Sequence, residues 1–534
     1  MSLGKAPTLE NLYPGAIEFC EERLSESSIF RVLHRECRRL FADEAFADLF
    51  GAVGRRSIPP RIVAVVMVLQ RIEGLSDREA VDRFAFDLRW KYAAGGLDAE
   101  YPGFVHTVLV DMRARLRASA RPDRIFESVL EVAKSVGLVG KKRVLDSTAL
   151  YDAVATQDTV TMIRSAIRGL LRVVDTALET ELRAALKRDD DYKVAGKPVC
   201  DWDDAAARAT VIDELARDGH AVLAVLHERE LHADVVAAGE LLATVLGQDI
   251  DKGEDGIFRI ARRVAPDRVI STVDPEARHG HKTASRGFDG YKGHLAIDPD
   301  SEIITAIEVT AGNAGDASAA EVLLADMMPA NTCRDAELSV AAAAEAVPEV
   351  YGDASYGTAE LVERLEDAAI EANVKVQPPS AREGMYAQDA FAVDTNAGMV
   401  RCPNGVTVAL RTRSDGTRHA SFGDHCAACP LLQRCTTSKT GRQINVHPKH
   451  ETLDKARKRQ RDPEWKRRYR ATRPKVERKI GHLMRRKHGG RRSRVRGRVR
   501  VRQDFSLLAA ATNLQRLAAL GVHWVAGKWA SARA

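Results

Sequence analysis

The sequence predicts an α/β protein in which a mixed sheet forms the core, accompanied by a helical N-terminal domain, a helical insertion and a small cysteine-containing β-rich insertion. Three observations carry this. Short, β-compatible apolar runs recur at Arg143–Leu150, Tyr291–Asp298, Glu302–Thr310 and Val350–Asp353. Apolar residues at helical spacing fill the chain before the first run and between the first and second. Four of the eight cysteines fall between Cys402 and Cys435.

The first 140 or so residues read as helices. Pro59-Pro60 opens an apolar stretch that runs to Glu73, and Gly74-Leu75 breaks it. Ser76-Asp77-Arg78-Glu79 is a capping box, followed by Val81, Phe84, Leu88 and Tyr92 at helical spacing. Helix, tight turn and helix make either a DNA-reading helix-turn-helix or an ordinary packed hairpin. A helix from Pro122 stops at Gly137, and Arg143–Leu150 then forms a strand with Asp146 at its middle. From Met162 to Asp249 the chain is helical again, with Ile163, Ile167, Leu170, Val174, Leu178, Leu182 and Leu186 on one face, read as core.

Pro299-Asp300-Ser301 joins the second and third runs as an antiparallel hairpin. A helix follows over Ala317–Met328. Val350–Asp353 is a strand ending on an acid, a helix starts near Thr358, and Val374–Gln377 is another strand. The segment Met399–Ile444 is the β-rich insertion. Helices run from Leu453 through a basic region, and an amphipathic helix over Ser506–Leu520 ends the pattern.

The charge is uneven. The whole chain carries 81 Lys/Arg and 75 Asp/Glu, yet Glu451–Asp504 alone holds 23 of the former against 6 of the latter. An acidic body with one basic segment points to a polyanionic partner there, and Trp465, Tyr469, Val476, Ile480 and Leu483 interrupt the charges at helical spacing. The longest apolar run, Ile62–Leu69, is far short of the roughly 20 residues that span a bilayer, and the N-terminus lacks a secretory h-region. The chain is therefore read as intracellular, with reduced thiols. Cys402 and Cys426-x2-Cys429-x5-Cys435 then suggest a tetrahedral thiolate zinc site, with an iron–sulphur cluster or plain buried thiols as alternatives. Cys20, Cys37, Cys200 and Cys333 are scattered and read as small buried residues.

The order of the acids matters more than any one of them. Asp146 lies on a first strand, Asp353 ends a later one, and Glu477 follows on a helix. Three carboxylates brought to one point repel unless cations neutralise them, and hard oxygen donors suit Mg²⁺ or Mn²⁺. Tyr469, Arg473 and Glu477 are spaced four apart and share a helical face; a helix starting near Thr472 would accommodate Pro474 and leave Tyr469 just before it. Glu451, Asp454, Asp462 and Glu464 are the competing acids.

On these residues the chain resembles a bacterial insertion-sequence DDE transposase with a ribonuclease-H-like catalytic core. Leu145-Asp146-Ser147-Thr148 resembles the first-aspartate strand, and Gly290-Tyr291-Lys292-Gly293-His294 with Thr310–Asp316 resembles the second and third strands. Gly352-Asp353-Ala354-Ser355-Tyr356-Gly357 resembles the second-aspartate motif, and Tyr469, Arg473 and Glu477 the Tyr-Arg-Glu signature. Ser57–Tyr92 is similar to the group's helical N-terminal domain. Met484 stands where the family usually has lysine, with Arg485 beside it, and the tyrosine-to-arginine spacing is one residue longer than usual.

The resemblance implies an enzyme that binds inverted terminal repeats, hydrolyses phosphodiesters at the element ends and joins the 3′-hydroxyl to target DNA, using two Mg²⁺ or Mn²⁺ ions held by Asp146, Asp353 and Glu477. Lys292, Tyr469, Arg473, Arg485, Arg491 and Arg492 are the expected DNA contacts, and Cys402, Cys426, Cys429 and Cys435 the structural zinc ligands. Expected domains are 1–138 (helical, DNA-binding or dimerising), 139–158 with 272–395 and 446–522 (catalytic core), 159–271 (helical insertion) and 396–445 (cysteine insertion). The expected partner is double-stranded DNA, as transposon ends and target, with no membrane. Synapsis of two ends implies at least a homodimer, in the cytoplasm at the bacterial nucleoid. A catalytically inactive DNA-binding derivative and a nuclease without strand transfer are the alternatives.

Overall fold

A computed structural model describes residues 1–2, 14–152, 155–283, 285–328, 347–414 and 417–532. Its centre is a six-stranded mixed sheet built on β1 (Lys142–Tyr151), β2 (Arg278–Thr283), β3 (Arg286–Ile297), β4 (Ile304–Ala311), β5 (Glu349–Gly352) and β6 (Glu371–Val374). β1 pairs antiparallel with β3, placing Asp146 opposite Leu295 and Ser147 opposite His294. On its other side β1 pairs parallel with β5, Val144 opposite Tyr351, and β6 continues the parallel half. β4 lies antiparallel on the far side of β3, and β2 pairs with the beginning of β3. The order β4–β3–β1–β5–β6, three antiparallel strands followed by two parallel ones, is the ribonuclease-H-like arrangement the sequence predicts.

The two faces of the sheet are covered differently. Residues of one parity (Val144, Leu295, Ile297, Tyr351) join Phe505, Leu508 and Leu514 of the helix Arg498–Ala519. That core continues without a break into the N-terminal helices through Val66, Phe84, Trp90 and Val129. The opposite parity (Leu145, Ala296, Val350, Ala372) packs under Val362 and Leu365 of the helix Ala359–Asp367. The helices from Thr159 to Asp249 bury their own core, including Ile163, Ile167, Leu170, Leu182 and Leu242. The cysteine insertion is a pair of three-stranded sheets around Phe391, Val400, Phe422 and Ile444. Among the described residues no helix is long and apolar enough to cross a membrane.

The helix Pro60–Glu73 is buried at nearly every position, and Asp77–Phe86 shows Arg78, Glu79, Asp82 and Arg83, a mixed-charge face. The pair is thus built as a packed hairpin. Its capping box forms as read, with Glu79 N–H donating to Ser76 Oγ. At the turn, Gly74 has φ +68°, and a Cβ there would lie 2.3 Å from the Lys487 carbonyl oxygen. Only glycine lets the basic segment pass this close.

Several element readings are corrected. The helix expected through Val81, Phe84, Leu88 and Tyr92 breaks at Asp87, whose carboxylate accepts from Arg89 N–H and caps a second helix. The face from Ile163 to Leu186 is likewise split at Asp175, which caps Thr176–Ala185. Ala317–Met328 holds only a 3₁₀ turn, Asp316–Ala319, and one α turn, Ala320–Leu323. Asp316 is pinned beneath the sheet at its start, and that tertiary tie outweighs alanine's helix propensity. β6 lies at Glu371–Val374, three residues earlier than expected, because Gly352 pairs with Val374. β2 was not anticipated: Arg-His-Gly-His-Lys-Thr has no apolar alternation. The last helix begins at Arg498 rather than Ser506, so the alternating Arg498-Val499-Arg500-Val501-Arg502 forms its first turns.

Candidate active site

Register brings two acids together. Val144 and Tyr351 are partners in parallel strands, and Asp146 and Asp353 each lie two residues further on. A two-residue step keeps the same face, so both carboxylates emerge side by side on neighbouring strands, which run about 4.8 Å apart. The helix Pro474–Leu483 packs on this face of β1 and carries Glu477 in its first turn.

Tyr469 does not precede that helix, as the sequence suggests, but belongs to the one before it, Pro463–Thr472. Arg473 joins the two with φ −57° and ψ −40°, and its N–H donates to Tyr469 O at 2.9 Å. Pro474 occupies the first position of the second helix, where its missing N–H costs nothing. The helical path therefore continues through the proline, and Tyr469, Arg473 and Glu477 keep a common face.

Arg473 stands among all three acids. Its guanidinium makes two contacts with Asp146, 2.8 Å to Oδ1 and 3.1 Å to Oδ2. It lies 3.6 Å from Asp353 Oδ2 and 3.6 Å from Glu477 Oε1. Exposure rises across the set: the Asp146 side chain is 12% exposed, Asp353 40% and Glu477 63%. Burial pushes the Asp146 carboxyl above its ordinary range even though Arg473 and the Ser147 N–H pull the other way. Among the described residues no three metal-ligating side chains are in ligating geometry. The donor chemistry nevertheless fits a hard cation, because a positive group already sits within reach of all three carboxylates.

A polar network supports the acids from the other face of the sheet. Ser147 donates its N–H to Asp146 Oδ1 (2.9 Å) and its hydroxyl to Asp316 Oδ2 (2.5 Å). Lys292 Nζ donates to Asp316 Oδ1 and to Ala314 O, both at 2.8 Å. His294 is fully buried between the Tyr356 hydroxyl (2.9 Å) and Thr310 Oγ1 (2.8 Å). Burial lowers its pKa to about 4 and leaves the ring neutral. Sequence reasoning missed Asp316, Ser147, Thr310 and Tyr356 as site-supporting groups, although all lie in the stretches that carry the resemblance.

The expected DNA contacts divide into two sets. Lys292, Tyr469 and Arg473 are mostly or fully buried and engaged within the protein. Tyr469 stacks on Trp465 and donates its hydroxyl to Gly352 O. Arg485, Arg491 and Arg492 are exposed. The segment Arg491–Ser493 lies along the end of β1, with Tyr151 N–H donating to Arg491 O and Ser493 N–H to Tyr151 O. This places the two arginines five residues along the strand from Asp146, roughly 17 Å at 3.3 Å per residue. Glu464 pairs with Arg467 at the surface, apart from the acids.

Cys402, Cys426, Cys429 and Cys435 line one cavity of about 20 Å³, walled by Phe391, Phe422 and Leu432. Burial raises the Cys435 thiol pKa, Arg442 lowers it, and the other three sulphurs raise it further. The cavity has room for one atom-sized guest. Cys20 and Cys37 are buried apart from this cluster and Cys200 half-buried; Cys333 lies outside the described residues.

Comparison with known families returned two matches. A family described as a transposase DDE domain matches residues 401–518, spanning the cysteine insertion, Glu477 and most of the last long helix. A second, described as a transposase domain, matches residues 18–115 in the N-terminal helices. No curated protein and no solved structure matches.

Proposed function

We propose, on the support of the two transposase-domain matches, that the chain is an insertion-sequence DDE transposase, which binds the inverted terminal repeats of its element, cuts the DNA at the element ends and joins the exposed 3′-hydroxyl to target DNA. The observation that carries this reading is the meeting of Asp146, Asp353 and Glu477 around one guanidinium.

In this reading Asp146, Asp353 and Glu477 hold two Mg²⁺ or Mn²⁺ ions, which when bound activate the attacking oxygen and stabilise the leaving one. In the first step a water oxygen bonds to phosphorus, the P–O3′ bond breaks, and the 3′-oxygen leaves as a hydroxyl. In the second, that hydroxyl attacks a target phosphodiester and displaces the target's own 3′-oxygen, so no external energy source is required. Asp146, rigid on the central strand, sets the buried side of the site. Glu477, most exposed of the three, faces the side from which DNA approaches. Arg485, Arg491 and Arg492 contact backbone phosphates, which fix register rather than sequence. The four cysteines hold one zinc ion, giving a small insertion the stability its short core does not supply. Two copies act together to pair the two ends.

The test is cleavage and strand transfer with labelled terminal-repeat DNA in Mg²⁺. Glu477→Gln is expected to retain end binding while losing both steps, with pre-cut ends rescuing neither. Glu464→Gln is expected to behave like the parent. Cleavage by Glu477→Gln at the parental rate, with an inactive Glu464→Gln, would move the third acid to Glu464.

A further inference from the structure

We infer that Arg473 is the resident counter-ion of the metal-free centre, and that divalent metal can load only by expelling its guanidinium from among the carboxylates. The inference rests on the reading of Asp146, Asp353 and Glu477 as the metal-binding acids.

Geometry makes the arginine and a metal alternatives. The guanidinium spends both terminal nitrogens on the acids, taking both Asp146 oxygens and standing within 3.6 Å of Asp353 and Glu477. Any cation bridging the same oxygens would lie a few ångströms from it, in a pocket where Arg473 is 8% exposed and solvent screens little. Charge points the same way. Three carboxylates and one guanidinium leave an excess of negative charge that attracts a dication. Two dications already over-neutralise the three acids, so the guanidinium becomes surplus until a phosphate arrives.

The arginine is also incompletely held. Its Nε is buried with no hydrogen-bond partner among the described residues, a cost that a turn of the side chain toward the open side, where Asp353 and Glu477 are exposed, would relieve. The backbone at Arg473 is unstrained helix (φ −57°, ψ −40°), so the move inferred is a rotation about side-chain bonds. Arg473 is thus a positioning residue in the free protein: it assembles the acids against their mutual repulsion and then competes for them.

The experiment is Mn²⁺ binding to the full-length, DNA-free protein by calorimetry and electron paramagnetic resonance, with thermal melts in EDTA and in Mn²⁺. Arg473→Gln is expected to bind Mn²⁺ roughly tenfold more tightly than the parent. It should melt lower in EDTA and gain more from Mn²⁺. Arg473→Lys, which keeps a charge but cannot bridge both Asp146 oxygens, should fall between, and it decides the matter if the glutamine variant does not fold. Equal or weaker Mn²⁺ binding by the variants, with parental binding that depends on Asp146 (lost in Asp146→Asn), overturns the inference alone. No Mn²⁺ binding by either the parent or the Arg473 variants, or parental binding that is equal in Asp146→Asn, overturns the metal-site reading and the inference together.

Discussion

The hydroxyl of Tyr469 donates a 3.1 Å hydrogen bond to the carbonyl oxygen of Gly352, the residue immediately before Asp353. The contact crosses from the helix Pro463–Thr472 to the end of β5 and ties the second acid to the helical path that carries the third. Tyr469 is fixed in turn by stacking on Trp465, with ring centroids 4.9 Å apart, and by Lys375 Nζ lying 4.8 Å from its ring centroid. Burial raises its pKa to about 12, so the proton needed for the bond stays in place.

Removing that hydroxyl should therefore act on catalysis through position. Tyr469→Phe keeps the ring stack and leaves the Gly352 carbonyl without this donor, at a cost of about 1–2 kcal/mol in stability. Cleavage is expected to fall about tenfold or more, since small misplacements of reacting groups carry penalties of that size. Affinity for terminal-repeat DNA, measured by gel shift, should be unchanged. A selective loss of DNA affinity with intact turnover would instead make Tyr469 a direct DNA contact.

The sequence made the acids legible because each lies in a short local pattern: an apolar strand around Asp146, a strand end at Asp353 and a four-residue spacing at Glu477. The mixed sheet followed from the family resemblance, and its strand order from the structure. What it could not reveal was where the basic residues point. Lys292 reads as a phosphate contact from the resemblance, but it is drawn inward by Asp316, an acid distant in sequence. Arg473 reads as a phosphate clamp one turn from Glu477, and the same spacing delivers it onto Asp146, which only the β1–β5 register brings near. Likewise β2 was silent because its polar residues show no apolar alternation. Its ties to β3 are the backbone ladder and a 2.8 Å contact between His279 Nδ1 and Asp289 Oδ1, in a hairpin that composition does not signal. Ala317–Met328 misled because one buried acid overrode its composition.

The basic segment gives a cleaner electrostatic test now that its arginines can be sorted. Arg494 donates to Leu75 O and Arg502 pairs with Asp123 at 2.7 Å, so their loss would perturb packing. Arg491 and Arg492 are exposed. Changing these two together to Ala should weaken DNA binding and reduce the slope of log K against log salt by roughly 1.8, at about 0.9 per lost phosphate contact. Melting temperature should stay within a degree or two of the parent. A parental slope would show that neither arginine meets a phosphate.

Acid sensitivity should trace to His294. Its pKa is about 4 in the folded protein, against about 6.5 in an unfolded chain. Above pH 6.5 the ring is neutral in both states and contributes no pH dependence. As pH falls from 6.5 toward 4, the unfolded chain takes up a proton that the folded protein refuses, so stability drops by at most about 3 kcal/mol over that window. Urea melts between pH 4 and 7 should show this slope in the parent and a shallower one in His294→Asn. Parallel slopes would assign the acid sensitivity to other groups.

The cysteine insertion should contain one zinc per chain. Its four sulphurs line a cavity too small for anything but a single ion or water, and the surrounding core is only a handful of side chains. The thiols there are free, and Cys426 Sγ accepts a 3.4 Å hydrogen bond from the Arg442 N–H. Binding zinc would deprotonate them and draw them inward, so the gain in folding free energy should be large and confined to this unit. Elemental analysis of protein purified under reducing conditions should give about one equivalent of zinc. Cys426→Ser with Cys429→Ser should lose it, and limited proteolysis should then cut within residues 396–445 while the sheet core stays intact. Iron and a brown colour would replace zinc by a cluster. Metal-free parent protein whose insertion resists protease as well as before would show that the thiols serve only as small core residues.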